Sequence, residues 1–184
     1  MWWIILIAII VIVLLVIFKY NNLVTSRQKV RNAWSQIEVQ LQRRFDLIPN
    51  LVEVVKGYMV HESDVLNKVT ELRTSWSKAS SVSEKSELNN ELSGALKTIM
   101  AVSENYPDLK ANQNFSQLQE ELKNTEDKIS FSRQFYNDTV TMYNTATEVF
   151  PSNIIAGIFG FKAEELFKLD DVEAKKNVKV DFNK

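Results

Sequence analysis

The chain has no cysteine, one histidine (His61), four glycines and three prolines in 184 residues. Without cysteine there is no disulfide, no thiolate metal site and no lipid-modified cysteine anchor. A single imidazole excludes any site built on two. The His61–Glu62 pair lacks the second histidine, one helical turn on, that a zinc protease requires. It reads instead as a cap or hydrogen bond at a helix junction. No G-x-S-x-G turn surrounds a serine, and no glycines cluster into a phosphate loop. Adjacent acids such as Glu120–Glu121 and Asp170–Asp171 read as solvated surface residues. Scarce Gly and Pro also argue against a β-rich, turn-rich fold. The expectation is a protein with no catalytic residues, no cofactor and no metal.

What is abundant is aliphatic. Residues 2–18 are uninterruptedly apolar, from Trp2 and Trp3 to Phe18, and fourteen of these seventeen are Leu, Ile, Val or Phe. As a helix the run spans about 26 Å, near the thickness of a bilayer core. Its insertion is favourable by roughly 4–8 kcal/mol. Lys19 and Tyr20 suit one interface, and the two tryptophans suit the other. No basic stretch precedes the run and no pair of small residues follows it, so an uncleaved anchor over residues 1–19 is expected.

Residues 19–44 carry Lys19, Arg27, Lys29, Arg31, Arg43 and Arg44 against one acid, Glu38, a local charge of +5 in a chain of −1. Positive charge beside the anchor predicts a single-pass protein of the cell membrane, with its N-terminus outside and its C-terminal domain in the cytoplasm. Lys19, Arg27, Lys29 and Arg31 are the candidate contacts to anionic headgroups. The basic stretch is short, the remainder is acidic and no reader motif is present, which excludes nucleic acid as a partner.

From Val30 the apolar residues recur at steps of three and four: Trp34, Ile37, Leu41, Phe45, Ile48, Val52, Val55, Met59, then Leu66, Val69, Leu72 and Trp76. This spacing predicts amphipathic helix. Pro49 predicts a kink near Asp46–Pro49, with Asp46 placed to cap the restarted helix. Residues 77–86 read as a loop, and the next helix is expected over Ser83–Glu104, ended by Tyr106–Pro107. Residues 107–114 read as a connector. Ser116 is the expected cap of a long helix over 117–148, with Leu118, Leu122, Ile129, Phe131, Phe135, Tyr136, Val140, Tyr143 and Ala146 as one stripe. Phe150–Pro151 stops it, and a short apolar helix, Ile154–Phe159, comes next. The IIAGIFGF segment, 154–161, is expected to dock on the domain, the bilayer interface and a subunit contact being the other options. The predicted fold is all-α: a transmembrane helix, then an antiparallel four-helix bundle with coiled-coil-type packing over 20–167. Residues 168–184 read as a mobile tail, with a strand-like VKVDF at 178–182.

Two stretches resemble the LemA family. The first is YNNLVTSRQKVRNAWSQIEVQLQRRFDLIPNLVEVVKGYMVHE, residues 20–62; the second is SRQFYNDTVTMYNTATEVFPSNIIAGIFGF, residues 132–161. With the anchor, the likeness covers nearly the whole chain. It implies a single anchor helix, a four-helix bundle and no settled enzymatic activity. Some family members are linked with membrane zinc metalloproteases or with magnetosome membranes, so the resemblance also implies a functional link to a membrane metalloprotease.

Polar residues inside the apolar periodicity are the candidate site: Arg44, Asp46 and Asn50 at the kink, and Arg133, Asn137 and Asn144 along the last long helix. Buried charges must be paired, so Arg44 or Arg133 is expected to pair with Asp46 or Asp138; a small binding site between helices is the alternative. The function expected is a non-enzymatic, membrane-anchored scaffold or adaptor that works through a protein partner or a homo-oligomer. The alternative is a membrane-surface protein that binds or shapes anionic bilayers.

Overall fold

A computed structural model describes residues 1–59 and 61–168, and every regular element among them is helical. The expected tail, apart from Lys168, and its strand-like 178–182 lie outside the described residues. Helix α1 runs unbroken from Trp2 to Asp46, since no Gly or Pro occurs before Pro49. Its 45 residues extend about 68 Å. The N-terminal portion is long and apolar enough to cross a membrane, and none of it is buried. Burial begins beyond it, on one face: Leu23, Val30, Ala33, Ile37, Leu41 and Phe45.

Helix α2, Ile48–Lys56, follows after one residue, with Pro49 in its first turn. Leu47 keeps a right-handed helical backbone and its N–H reaches the carbonyls of Arg43 and Arg44. The helix is therefore interrupted at Leu47, within the stretch where proline cannot donate, without leaving helical space. Asp46 does not cap the restart. Its Oδ1 accepts from Gln42 Nε2 at 2.9 Å, one turn back on α1, because a junction that stays helical leaves no extended residue for a cap to occupy.

Helices α3 (Ser63–Trp76) and α4 (Val82–Ser103) pack on each other. The loop between them is shorter than 77–86. Ser81 and Glu84 form a reciprocal capping box that starts α4 at Val82. The connector at 107–114 holds a short helix α5, Pro107–Lys110, whose Leu109 is buried. Helix α6 then runs from Gln113 to Glu148 and is capped by Asn112, whose Oδ1 accepts from the N–H groups of Asn114 and Phe115. Ser116, the expected cap, lies inside the helix and its hydroxyl donates to the Asn112 carbonyl. Helix α7, Ser152–Phe159, ends at Gly160 in the left-handed region, and a strap without regular secondary structure, 161–168, follows.

The main interface is α1 on α6. Trp34 meets Tyr136 at 5.6 Å between ring centroids, and Arg43 pairs with Glu121 at 2.7 Å, so residue numbers rise along α1 as they fall along α6. On α6 the buried residues are Leu122, Thr125, Ile129, Tyr136, Val140 and Tyr143. Phe131 and Phe135 are not part of that face. They are 76% and 50% exposed, about 100–140° round the helix from Tyr136 at 3.6 residues per turn. Steps of three and four alone had merged two faces into one stripe.

Candidate functional site

Arg44 is the one buried charged side chain among the described residues. It lies on the core face of α1 because it follows Leu41 by three and precedes Ile48 by four. Its Nη1 donates to Asn89 Oδ1 at 2.8 Å and to Ser93 Oγ at 3.0 Å, both on α4, and it pairs with Glu126 of α6. Burial lowers the guanidinium's pKa and Glu126 opposes that shift. One cation thus ties α1, α4 and α6. Its partner is neither Asp46 nor Asp138, because the core phase that buries Arg44 points it across the bundle and away from its own helix. A groove of about 600 Å³ opens beside it, lined by Leu96, Met100, Leu122, Lys97 and Lys123 as well as Ser93 and Glu126.

Asn137 and Asn144 make a separate arrangement. Asn144 Nδ2 donates to the Glu164 carbonyl and Asn144 Oδ1 accepts from the Glu164 N–H, both at 2.9 Å. Asn137 does the same with Phe167, at 3.1 and 2.9 Å. Each amide thus pairs with both backbone groups of one strap residue, as a neighbouring strand would. Beside them, Tyr136 donates to the Glu165 carbonyl at 2.7 Å and Tyr143 to the Lys162 carbonyl at 3.0 Å. Burial, then the nearby Glu164 and Glu165 carboxylates, push the Tyr136 phenol up to about 12. Burial and Glu164 also raise Tyr143, against the opposing pull of Arg27 and Arg31. Phe167 is buried near Trp34, and the Lys168 carbonyl accepts from Ser86 and Asn90 of α4.

The six residues expected to form one network are thus divided. Arg44 centres one group, and Asn137 and Asn144 another. Asp46 and Asn50 are exposed, Asn50 lining a shallow groove with Glu53 and Glu121. Arg133 is half-buried on α6 and joins neither group among the described contacts. Of the candidate lipid contacts, Lys29 and Arg31 are exposed, Lys19 is half-buried, and Arg27 lies 4.8 Å over the Phe161 ring. Sequence reasoning missed Asn89, Ser93, Glu126 and Lys85. Lys85 pairs with Glu38 and stands over Trp76 and Trp34, at 5.1 and 5.9 Å. The signal was there on α4: Ser86, Asn89 and Ser93 keep the phase of Leu92 and Leu96. His61 is exposed, and its neighbour Glu62 accepts from the Tyr106 hydroxyl at 2.9 Å, tying the α2–α3 junction to the start of α5. Among the described residues no three His, Cys, Asp or Glu side chains gather as a metal site would need. What these groups do chemically is hold: a cation fixes three helices, and amides and phenols fix a strap.

Known proteins resemble this chain along most of its length. Protein LemA of Metamycoplasma hominis is 28% identical over 158 residues, covering 83% of this chain and 70% of that protein. Magnetosome protein MamQ 1 of Paramagnetospirillum magneticum is 27% identical over 179 residues, and magnetosome protein MamQ of Magnetospirillum gryphiswaldense is 24% identical over 178. The chain covers 66% and 65% of those two proteins, just under two thirds of their length. The LemA family model matches residues 33–182, from the first bundle turns of α1 through the strap and beyond. The chain therefore belongs to the LemA family.

Proposed function

We propose that this protein is a non-enzymatic, membrane-anchored scaffold that assembles side by side with copies of itself. One observation carries the reading. Phe131, Phe135 and Met142 are exposed on α6 at steps of four and seven. At 3.6 residues per turn they fall in a band about 40° wide and about 17 Å long. A narrow apolar band at heptad spacing is the seam a second helix fills, and contiguous exposed apolar surface marks an interaction site. In our reading α1, α3, α4 and α6 are the long members of an antiparallel four-helix bundle over 20–167. Because α6 then runs along α1, the seam lies parallel to the anchor. Anchors in one bilayer share their direction, so two copies can meet seam to seam about a two-fold axis normal to the membrane. Confinement to the bilayer raises the effective concentration for such a contact. The positive flank of the anchor supports a cytoplasmic domain with the N-terminus outside. The non-enzymatic reading rests on the inventory of reactive side chains: no cysteine, and one exposed histidine.

Native mass spectrometry of the full chain in lipid nanodiscs tests the proposal. A defined oligomer is expected, with a shift to monomer on Phe135→Ser plus Met142→Ser at unchanged helical circular dichroism. A monomeric parent chain, or an oligomer indifferent to both substitutions, would overturn it.

A further inference from the structure

Helix α7 has two apolar faces. Ile155 and Ala156 are buried against the domain, and α7 packs on both α1 and α6. Ile154 and Ile158, one turn apart, are exposed, Ile158 at 73%, while half-exposed Phe159 lies about 100° further round, on the side that meets α1. This outer face sits at a defined height on the anchor helix. The Phe159 ring is 4.8 Å from that of Tyr20, and Phe161 is 5.7 Å from the same ring. Val16, inside the apolar run, packs against the core, while the rest of residues 1–18 are exposed. Val16 to Tyr20 is about 6 Å of helix. The domain therefore reaches the last turn of the membrane-spanning run, and α7 is the element that brings it there.

We propose that α7 is a membrane-interface helix, whose Ile154–Ile158 face enters the boundary between headgroups and acyl chains around the anchor. An apolar face at this height with a basic rim has the composition of an interfacial helix. Exposed Lys162 follows it, and half-buried Lys19 and Arg27 flank it on α1. Backbone groups at both of its ends find partners within the protein, as burial near lipid favours. Asn153 N–H donates to the Val149 carbonyl and Phe161 N–H to the Ala156 carbonyl, both at 2.9 Å. Contact at two places, the anchor and α7, fixes the domain's rotation about α1, which a single helix cannot do.

The inference rests on α1 crossing the bilayer, and the two can be told apart. The absence of cysteine allows single-cysteine variants of the full chain. Ile10→Cys, Ile154→Cys, Ile158→Cys and Val39→Cys are labelled with an environment-sensitive fluorophore. Each is placed in nanodiscs carrying nitroxide lipids, with the nitroxide near the headgroup or at the chain end. Val39 is exposed and twenty residues beyond Lys19, about 30 Å along α1. The expected result is blue-shifted emission at 154 and 158, quenched more by the headgroup nitroxide than by the chain-end one. Position 10 is then quenched by the chain-end nitroxide, and position 39 by neither. If 154 and 158 behave as 39 does while 10 is quenched, α7 is not in the interface and the anchor stands. If 10 is not quenched, both the anchor and the interface helix are overturned.

Discussion

Removing one amide from the strap's clasp tests whether the strap opens as a unit. Asn144→Ala deletes two hydrogen bonds, those to the N–H and the carbonyl of Glu164. A hydrogen bond contributes about 0.5–1.5 kcal/mol net, so the pair is worth about 2 kcal/mol. Half-exposed Glu164 regains some water, which keeps the figure from rising toward the cost of stranded buried groups. Hydrogen exchange of the full chain in nanodiscs is the assay. The informative amide is that of Phe167, because its own partner Asn137 is untouched. If the strap opens cooperatively, about 2 kcal/mol lowers Phe167 protection roughly 30-fold. If only the Glu164 amide speeds up, the cooperative clasp is wrong.

A second substitution gives the same clasp a pH dependence. In Asn137→Asp a carboxylate still accepts from Phe167 N–H but faces the Phe167 carbonyl with nothing to donate. The protonated acid makes both bonds, so folding favours the neutral form and raises the carboxyl's pKa above its unfolded value. A raised folded pKa means the strap is fully held below the unfolded value and released as pH rises through the folded one. Phe167 exchange, corrected for intrinsic rate, should therefore show better protection in acid than at neutral pH, the parent chain showing no such step. The opposite sign would refute the assignment of donor and acceptor.

Three further outcomes are expected. Arg44→Met should destabilise the domain by about 2 kcal/mol, less than for a fully buried pair because Glu126 is half-exposed and rehydrates. Adding Glu126→Gln should recover part of the loss in thermal unfolding. Tyr136 should ionise late in a tyrosinate absorbance titration, its phenol being raised to about 12. The strap's contribution is then complete below about 10, the free phenol's value, and lost as pH rises from there through the raised value. Ser81→Ala should cost about 1 kcal/mol through loss of the cap on α4, read by chemical unfolding. It should also raise the Glu84 carboxyl, which its bonds from Ser80 and Ser81 hold low.

The helices were legible wherever local chemistry decides them. An unbroken aliphatic run, a periodic face and one proline set α1 and its end. Boundaries failed where two caps competed. Asn112 captures the N–H of Phe115, whose ring is fully buried, and that burial outbids the equally plausible Ser116. Leu109 pulls part of the connector into the core for the same reason. Site pairings were hidden because they are long-range: Arg44 and Asn89 are 45 residues apart. Asn137 and Asn144 could be seen on one helix face, but their partners, Glu164 and Phe167, lie in chain without regular secondary structure, which helical spacing does not reveal. Phe131 and Phe135 had the right spacing and the wrong phase, a distinction visible only when every apolar residue is placed round the helix.

Gly157 and Gly160 decide between sterics and backbone conformation at the point where α7 meets the strap. Neither has an atom within 4 Å of where a Cβ would stand, so alanine clashes with nothing at either site. Gly157 lies inside α7 with ordinary helical geometry. Alanine there removes unfolded-state freedom and should stabilise by about 0.4–1 kcal/mol. Gly160 has φ of +70°, where an L side chain costs about 1–2 kcal/mol. That conformation aims the chain from the end of α7 into the Asn144–Asn137 ladder. Gly160→Ala should therefore destabilise, and its loss should appear as faster exchange at the Glu164 and Phe167 amides, with α7 little changed. Opposite signs three residues apart, with space equal at both, would place the cause in the backbone. Equal signs would mean that the turn is not what seats the strap.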